Sequence, residues 1–181
     1  NELEFLRSHP LTKNRIADAQ SRARAHKGSN YRNSLDYGLI RNRSIVHFSE
    51  IPRQAVTIFE KNLRESKTDK EKIESLYGYA LALSRQNDHV KALEKIREAL
   101  SLDSENLILQ IALLELHIEA ENYFEAEALA SSLLRTNPQN YPISMLYSRI
   151  LMNKGDYELG EEILKDLVQV RPKDPQVWYW L

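Results

Sequence analysis

The sequence predicts an all-α chain built as a row of antiparallel helical hairpins. The first observation behind this is internal similarity: residues 73–106, 107–140 and 141–174 align as three consecutive 34-residue units. The second is composition, because five Gly and six Pro in 181 residues are too few for the tight turns of an all-β chain. The third is helical periodicity, with Val90, Leu93, Ile96 and Leu100 on one stripe and the charges elsewhere. At 42% apolar and 28% charged residues the chain can bury a core, which excludes disorder.

From the N-terminus, residues 1–28 stand outside the repeat. They open with Phe5-Leu6-Arg7-Ser8-His9-Pro10 and continue into a helix expected over 12–26, through Ile16, Ala17 and Ala19, that stops at Lys27-Gly28. Residues 1–48 hold nine basic and four acidic side chains, so the rest of the chain carries −6 of the total −1. No aromatic interleaving or groove-reading motif accompanies that charge, so a solvated helix face is expected and nucleic acid is not an expected partner. No basic stretch followed by an apolar run opens the chain, and any targeting signal is expected upstream or already removed.

Residues 29–72 read as a degenerate hairpin. With Ala55 as its small residue, Phe59 and Leu63 fall on packing places and Pro52 opens the second helix. The spacing to the next unit is then three residues too long, to be absorbed within 66–72. Thr68 followed by Glu71 has the form of a capping box for the helix through Leu83.

The three full units over 73–174 repeat their landmarks. The twentieth place is small (Ala92, Ala126, Gly160), so the second helix of each hairpin can approach the first. Bulky packing places are the seventh (Tyr79, Leu113, Tyr147), the eleventh (Leu83, His117, Leu151) and the seventeenth (His89, Tyr123, Tyr157). Asn87-Asp88, Glu121-Asn122 and Gly155-Asp156 sit where the hairpins turn, with left-handed tolerance followed by an N-cap oxygen. Pro138 and Pro172, at the thirty-second place, are expected to stop the second helix and pre-set the next first turn. Residues 175–181 begin a further unit, ending inside its first helix.

This pattern resembles the tetratricopeptide repeat, in which Trp, Leu, Gly, Tyr, Ala, Phe, Ala and Pro recur over 34 residues. The fourth place departs from it, holding Leu76, Gln110 and Ser144 in place of Trp, whereas Trp178 restores it. The resemblance implies a right-handed helical-hairpin solenoid, here with an extra N-terminal helix, and protein–protein interaction as its function. In that arrangement the second, fifth, ninth and twelfth places line a groove, which selects Tyr77, Leu81, Ile108, Ile111, Glu115, Met145, Arg149 and Met152. This mixed, rather apolar groove lacks the Lys and Asn that chaperone-tail adaptors use to clamp a carboxylate. It suits an extended or helical polypeptide, and whether it is open or covered by the N-terminal helix stays open.

Chemistry-bearing motifs are sparse. Without Cys, thiol catalysis, disulfides and thiolate zinc sites are excluded. No phosphate-binding Gly loop, Gly-x-Ser-x-Gly or His-Glu-x-x-His occurs, so no catalytic residue, metal ligand or cofactor is expected within these residues. The most apolar window, 107–118, is interrupted by Gln110 and Glu115 and too short for a bilayer, so no transmembrane segment is expected. Ser8-His9-Pro10 and Arg15-Ile16-Ala17-Asp18-Ala19, leading into hairpins and repeats, resemble the end of the protease domain and the repeat domain of bacterial M48 metalloproteases. That resemblance implies a periplasmic zinc endopeptidase whose catalytic domain lies outside these residues, partnered by its own repeat domain and by outer-membrane proteins or their assembly machinery. Under it His9 lies near the zinc cleft; read on its own, His9 is a turn residue before Pro10. The alternative is a stand-alone cytoplasmic adaptor or scaffold.

Overall fold

The structure, a computed structural model, describes residues 34–181 and, before them, Ser21 alone. His9, the helix expected over 12–26 apart from Ser21, and most of the basic N-terminal stretch lie outside the described residues. Nine α-helices follow in order among the described residues: α1 (Leu35–Phe48), α2 (Pro52–Glu65), α3 (Asp69–Ser84), α4 (His89–Leu102), α5 (Leu107–Glu119), α6 (Tyr123–Thr136), α7 (Tyr141–Lys154), α8 (Tyr157–Val170) and α9 (Pro175–Trp180). The odd-numbered helices are the first members of the hairpins and the even-numbered helices the second. This is a tetratricopeptide-type solenoid.

The hairpin turns repeat one motif at 34-residue spacing. Asn87, Glu121 and Gly155 all have positive φ, at 62°, 58° and 88°. In each case the next N–H reaches back to the carbonyl five residues earlier: Asp88 to Leu83, Asn122 to His117, and Asp156 to Leu151, at 2.9–3.0 Å. This is the paired C-terminal cap in which one left-handed residue lets the chain fold back on its last turn. Of the three N-cap oxygens expected here, only that of Asp88 accepts a helix N–H, from Lys91. Asn122 and Asp156 make no side-chain cap bond. The connections between units carry the working caps: Asn106, Asn140 and Asp174 each accept from the first turn of the following helix.

Pro138 and Pro172 sit in the connecting turns, before helix starts that carry their own prolines, Pro142 and Pro175. Asn140 N–H bonds the carbonyl of Asn137, which places Pro138 at the second position of a β-turn, where a fixed φ suits it. The proline therefore shapes the turn and does not enter the next helix.

Packing is layered hairpin on hairpin. Ala92, Ala126 and Gly160 are all buried, and Met152 occupies the space that a Cβ on Gly160 would crowd. One core cluster joins α3, α4 and α5 through Leu76, Tyr77, Ile96 and Leu109; the next joins α5, α6 and α7 through Leu114, Ala130, Ile143 and Ile150. Two of the expected packing residues face solvent. Val90 is 81% exposed because the α4 stripe runs through Ala92, Leu93, Ile96 and Ala99, and Tyr157, on the first turn of α8, is exposed as well.

The degenerate hairpin differs in its closure. Leu39, Asn42 and Val46 of α1 are buried as Ile73, Leu76 and Ala80 of α3 are, 34 residues on, so the first helix keeps the repeat spacing. Ala55 stands three residues early against that spacing. The excess reappears as an added first turn of α3, held by the Thr68–Glu71 capping box. Both α1 and α2 consequently pack mainly on α3 and only weakly on each other. Phe59 is fully buried there, its ring against Gly78.

Candidate functional site

A groove runs along the first helices of the hairpins. One stretch, about 370 Å³, is lined from α1 by Arg43, Val46 and His47, from α3 by Leu81 and Ser84 and from its C-cap by Arg85, and from α5 and α7 by Glu115, Leu116, Glu119, Leu146 and Arg149. A second stretch, about 530 Å³, shares Glu115, Leu146 and Arg149 and continues past Met145 to Pro175, Gln176, Tyr179 and Trp180 of α9.

Its charged side chains are held, by one another or by backbone carbonyls. The Arg43 guanidinium grips Glu115 with two bonds, Nη1 to Oε1 at 3.1 Å and Nη2 to Oε2 at 2.6 Å, while its Nε donates to the Tyr77 hydroxyl at 2.8 Å. Burial works against the charged Arg43, but the bonds to Glu115 and Tyr77 outweigh it and hold its pKa above the ordinary value. Tyr77 is raised in turn, by burial first, and stays a neutral hydroxyl. Arg149 donates to Glu119 at 2.7 Å. Arg85 donates to the carbonyls of Val46, His47 and Ser49, so its charge is spent on the C-terminal end of α1. What is left facing the groove is an apolar patch of Leu81, Met145 and Leu146 backed by the buried Val46 and Leu116, with the polar His47, Ser84 and Gln176 beside it and paired charges at its edge.

The sequence-selected residues divide accordingly. Leu81, Glu115, Met145 and Arg149 come together at the groove. Tyr77 is 0% exposed: it is a core residue of the α3–α4–α5 cluster that reaches the groove only through its hydroxyl. Ile108 and Ile111 are half-buried against the core clusters on either side of α5. Met152 lies over Gly160, because the missing Cβ there leaves room for its side chain between α7 and α8. Sequence reasoning missed Arg43, Val46, His47 and Arg85. Arg43 precedes Tyr77 by 34 residues and His47 precedes Leu81 by 34, so registering the degenerate unit on its first helix instead of its second would have found both.

Among the described residues no group of three or more His, Asp or Glu is arranged to hold a metal ion, and no helix is long and apolar enough to cross a membrane.

Comparison with known proteins agrees with the repeat. The tetratricopeptide repeat family model matches residues 118–179. Two solved structures are similar. "MamA MSR-1" superposes with a TM-score of 0.58 at 17% identity, over 78% of this chain and 77% of that one. "MamA AMB-1" gives 0.56 at 17% identity, over 79% and 76%. At that identity the likeness is one of fold. No curated protein matches the chain. Family match, solved folds and the 34-residue hairpin geometry agree: residues 118–179 match the tetratricopeptide repeat, and the described residues take the fold of a solenoid of that type.

Proposed function

We propose that this domain binds a polypeptide segment in the groove along α1, α3, α5, α7 and α9. The observation that carries this reading is the half-buried apolar patch of Leu81, Leu146 and Met145 along the groove, flanked by charges already paired with each other. A partner need supply no particular charge, only apolar side chains at extended or helical spacing, and the flexible Met145 can adapt to them. A photo-crosslinking residue at 145 is expected to capture the partner, while one at Phe124, 81% exposed on α6, is not. Affinity for the captured segment should then fall about tenfold or more in Met145→Asp with the helical signal unchanged. Equal capture from both positions, or unchanged affinity, refutes the groove.

A finer reading rests on the sequence resemblance of residues 5–10 and 15–19 alone. We propose that the domain serves a periplasmic M48-type zinc endopeptidase, holding envelope proteins such as outer-membrane barrel precursors or their assembly machinery. Zinc would belong to the catalytic domain of that whole protein. The native protein should then fractionate with the periplasm and show zinc content and chelator-sensitive proteolysis. A cytoplasmic protein without either would leave the stand-alone adaptor.

A further inference from the structure

On its other side α7 borders a cavity of about 710 Å³, within the range of ligand sites. Leu134 of α6, Tyr147 of α7 and Ile163 and Leu167 of α8 make its walls, and Ser144 and Pro138 open onto it. Tyr141 forms a rigid edge: its hydroxyl donates to Asp174 at 2.7 Å and the Arg171 guanidinium lies 4.2 Å over its ring.

The repeat itself supplies the standard of comparison. In the preceding unit the side chain at the fourth place, Gln110, donates its Nε2 to the carbonyl of Ser104 at 2.8 Å. In the following unit Trp178, at the same place, donates its Nε1 to the carbonyl of Pro172 at 2.9 Å. The equivalent pair in between is Ser144 and Pro138. The Ser144 hydroxyl does not make this bond, and among the described residues no donor reaches the Pro138 carbonyl. Where two units set a side-chain N–H on this carbonyl, the unit in between leaves it free at the rim of a largely apolar slot.

We propose that this slot receives a tryptophan side chain from a partner polypeptide, with the indole N–H donating to the Pro138 carbonyl. A largely apolar cavity with the free Pro138 carbonyl on its rim, and Gln139, Asp166 and Arg171 farther round its lining, suits a flat apolar body with one donor, which an indole provides. Trp178 shows this geometry within the chain. The proposal rests on the polypeptide-binding reading only for the source of the indole. The slot and the groove occupy different sides of α7, so failure here leaves the test at Met145 untouched.

The experiment follows backbone amide shifts of the protein on titration with N-acetyl-L-tryptophanamide. Saturable shifts around Ser144 and Leu167 are expected, with binding about fivefold weaker for the 1-methylindole analogue, which has lost its donor. Ser144→Trp should fill the slot from within, raise the melting temperature and abolish the shifts. Should Ser144→Trp not fold, Ser144→Gln, which copies Gln110, is expected to weaken binding in the same direction. No saturable shift, equal affinity of the methylated analogue, or shifts that persist in a folded Ser144→Trp protein would overturn the proposal. Free indole binding more tightly than the capped residue would do so too, by assigning the slot to a small molecule.

Discussion

His117 stands at the eleventh place of its unit, where Leu83 and Leu151 stand in the units on either side. It is buried, and its Nδ1 finds no hydrogen-bond partner. Burial, and secondarily the Arg97 charge on α4, lower its pKa, while Glu125 on α6 opposes them weakly. A depressed pKa means that the unfolded chain takes up the proton first. Stability is therefore complete above the ordinary imidazole value of about 6.5 and is lost progressively as pH falls from there through the folded-state value. His117→Leu should remove this loss and also stabilise the domain by about 1–2 kcal/mol, by replacing an unsatisfied polar group with the residue of the neighbouring units. Thermal melts of both proteins at pH 7.5 and 5.5 decide it: a wild-type shift between these values that persists in His117→Leu assigns the acid sensitivity elsewhere.

At the scale of the element, the N-terminal hairpin depends on one glycine. A Cβ on Gly78 would lie 2.3 Å from Cε1 of the buried Phe59 ring, so the close seat of α2 on α3 requires its absence. Gly78→Ala gains about 1 kcal/mol in helix propensity, against about 1–3 kcal/mol for forcing an atom into a filled core. With the ring enclosed, the clash should win, and the expected result is a lower melting temperature. An unchanged or higher one would mean that α2 shifts without cost. Since α1 and α2 both rest on α3, the loosening should appear as faster amide hydrogen exchange in α2 than in α8.

Across the whole domain, Arg43 bridges 72 residues of sequence to grip Glu115, tying the degenerate hairpin to the second full unit over the top of α3. Both side chains keep some solvent exposure, 38% and 29%, so the pair is worth well under a fully buried bridge. Arg43→Met should cost roughly 1 kcal/mol, with a smaller difference from wild type in high salt. Chemical denaturation at two salt concentrations measures it; a salt-independent loss would place the effect in the Tyr77 hydroxyl bond instead.

Much of this architecture was legible in the chain itself. A 34-residue period with small residues at Ala92, Ala126 and Gly160, and a capping box at Thr68–Glu71, follows from local rules of helix packing and termination, which act within a few residues and are therefore written in sequence. The groove proposed to bind a polypeptide was legible in part: Leu81, Glu115, Met145 and Arg149 followed from their places in the repeat. Whether a side chain at such a place faces a groove or a core depends on what the neighbouring helix puts over it. Tyr77 became core because α1 lies across it and Arg43 takes its hydroxyl. Met152 turned toward α8 because Gly160 left room. The empty slot beside Ser144 exists only because three helices meet around a side chain too short to fill it. Period, hairpins and the Thr68–Glu71 capping box were determined by the sequence alone, whereas the contents of groove, core and slot were decided by tertiary contact between side chains on different helices, which no local rule specifies.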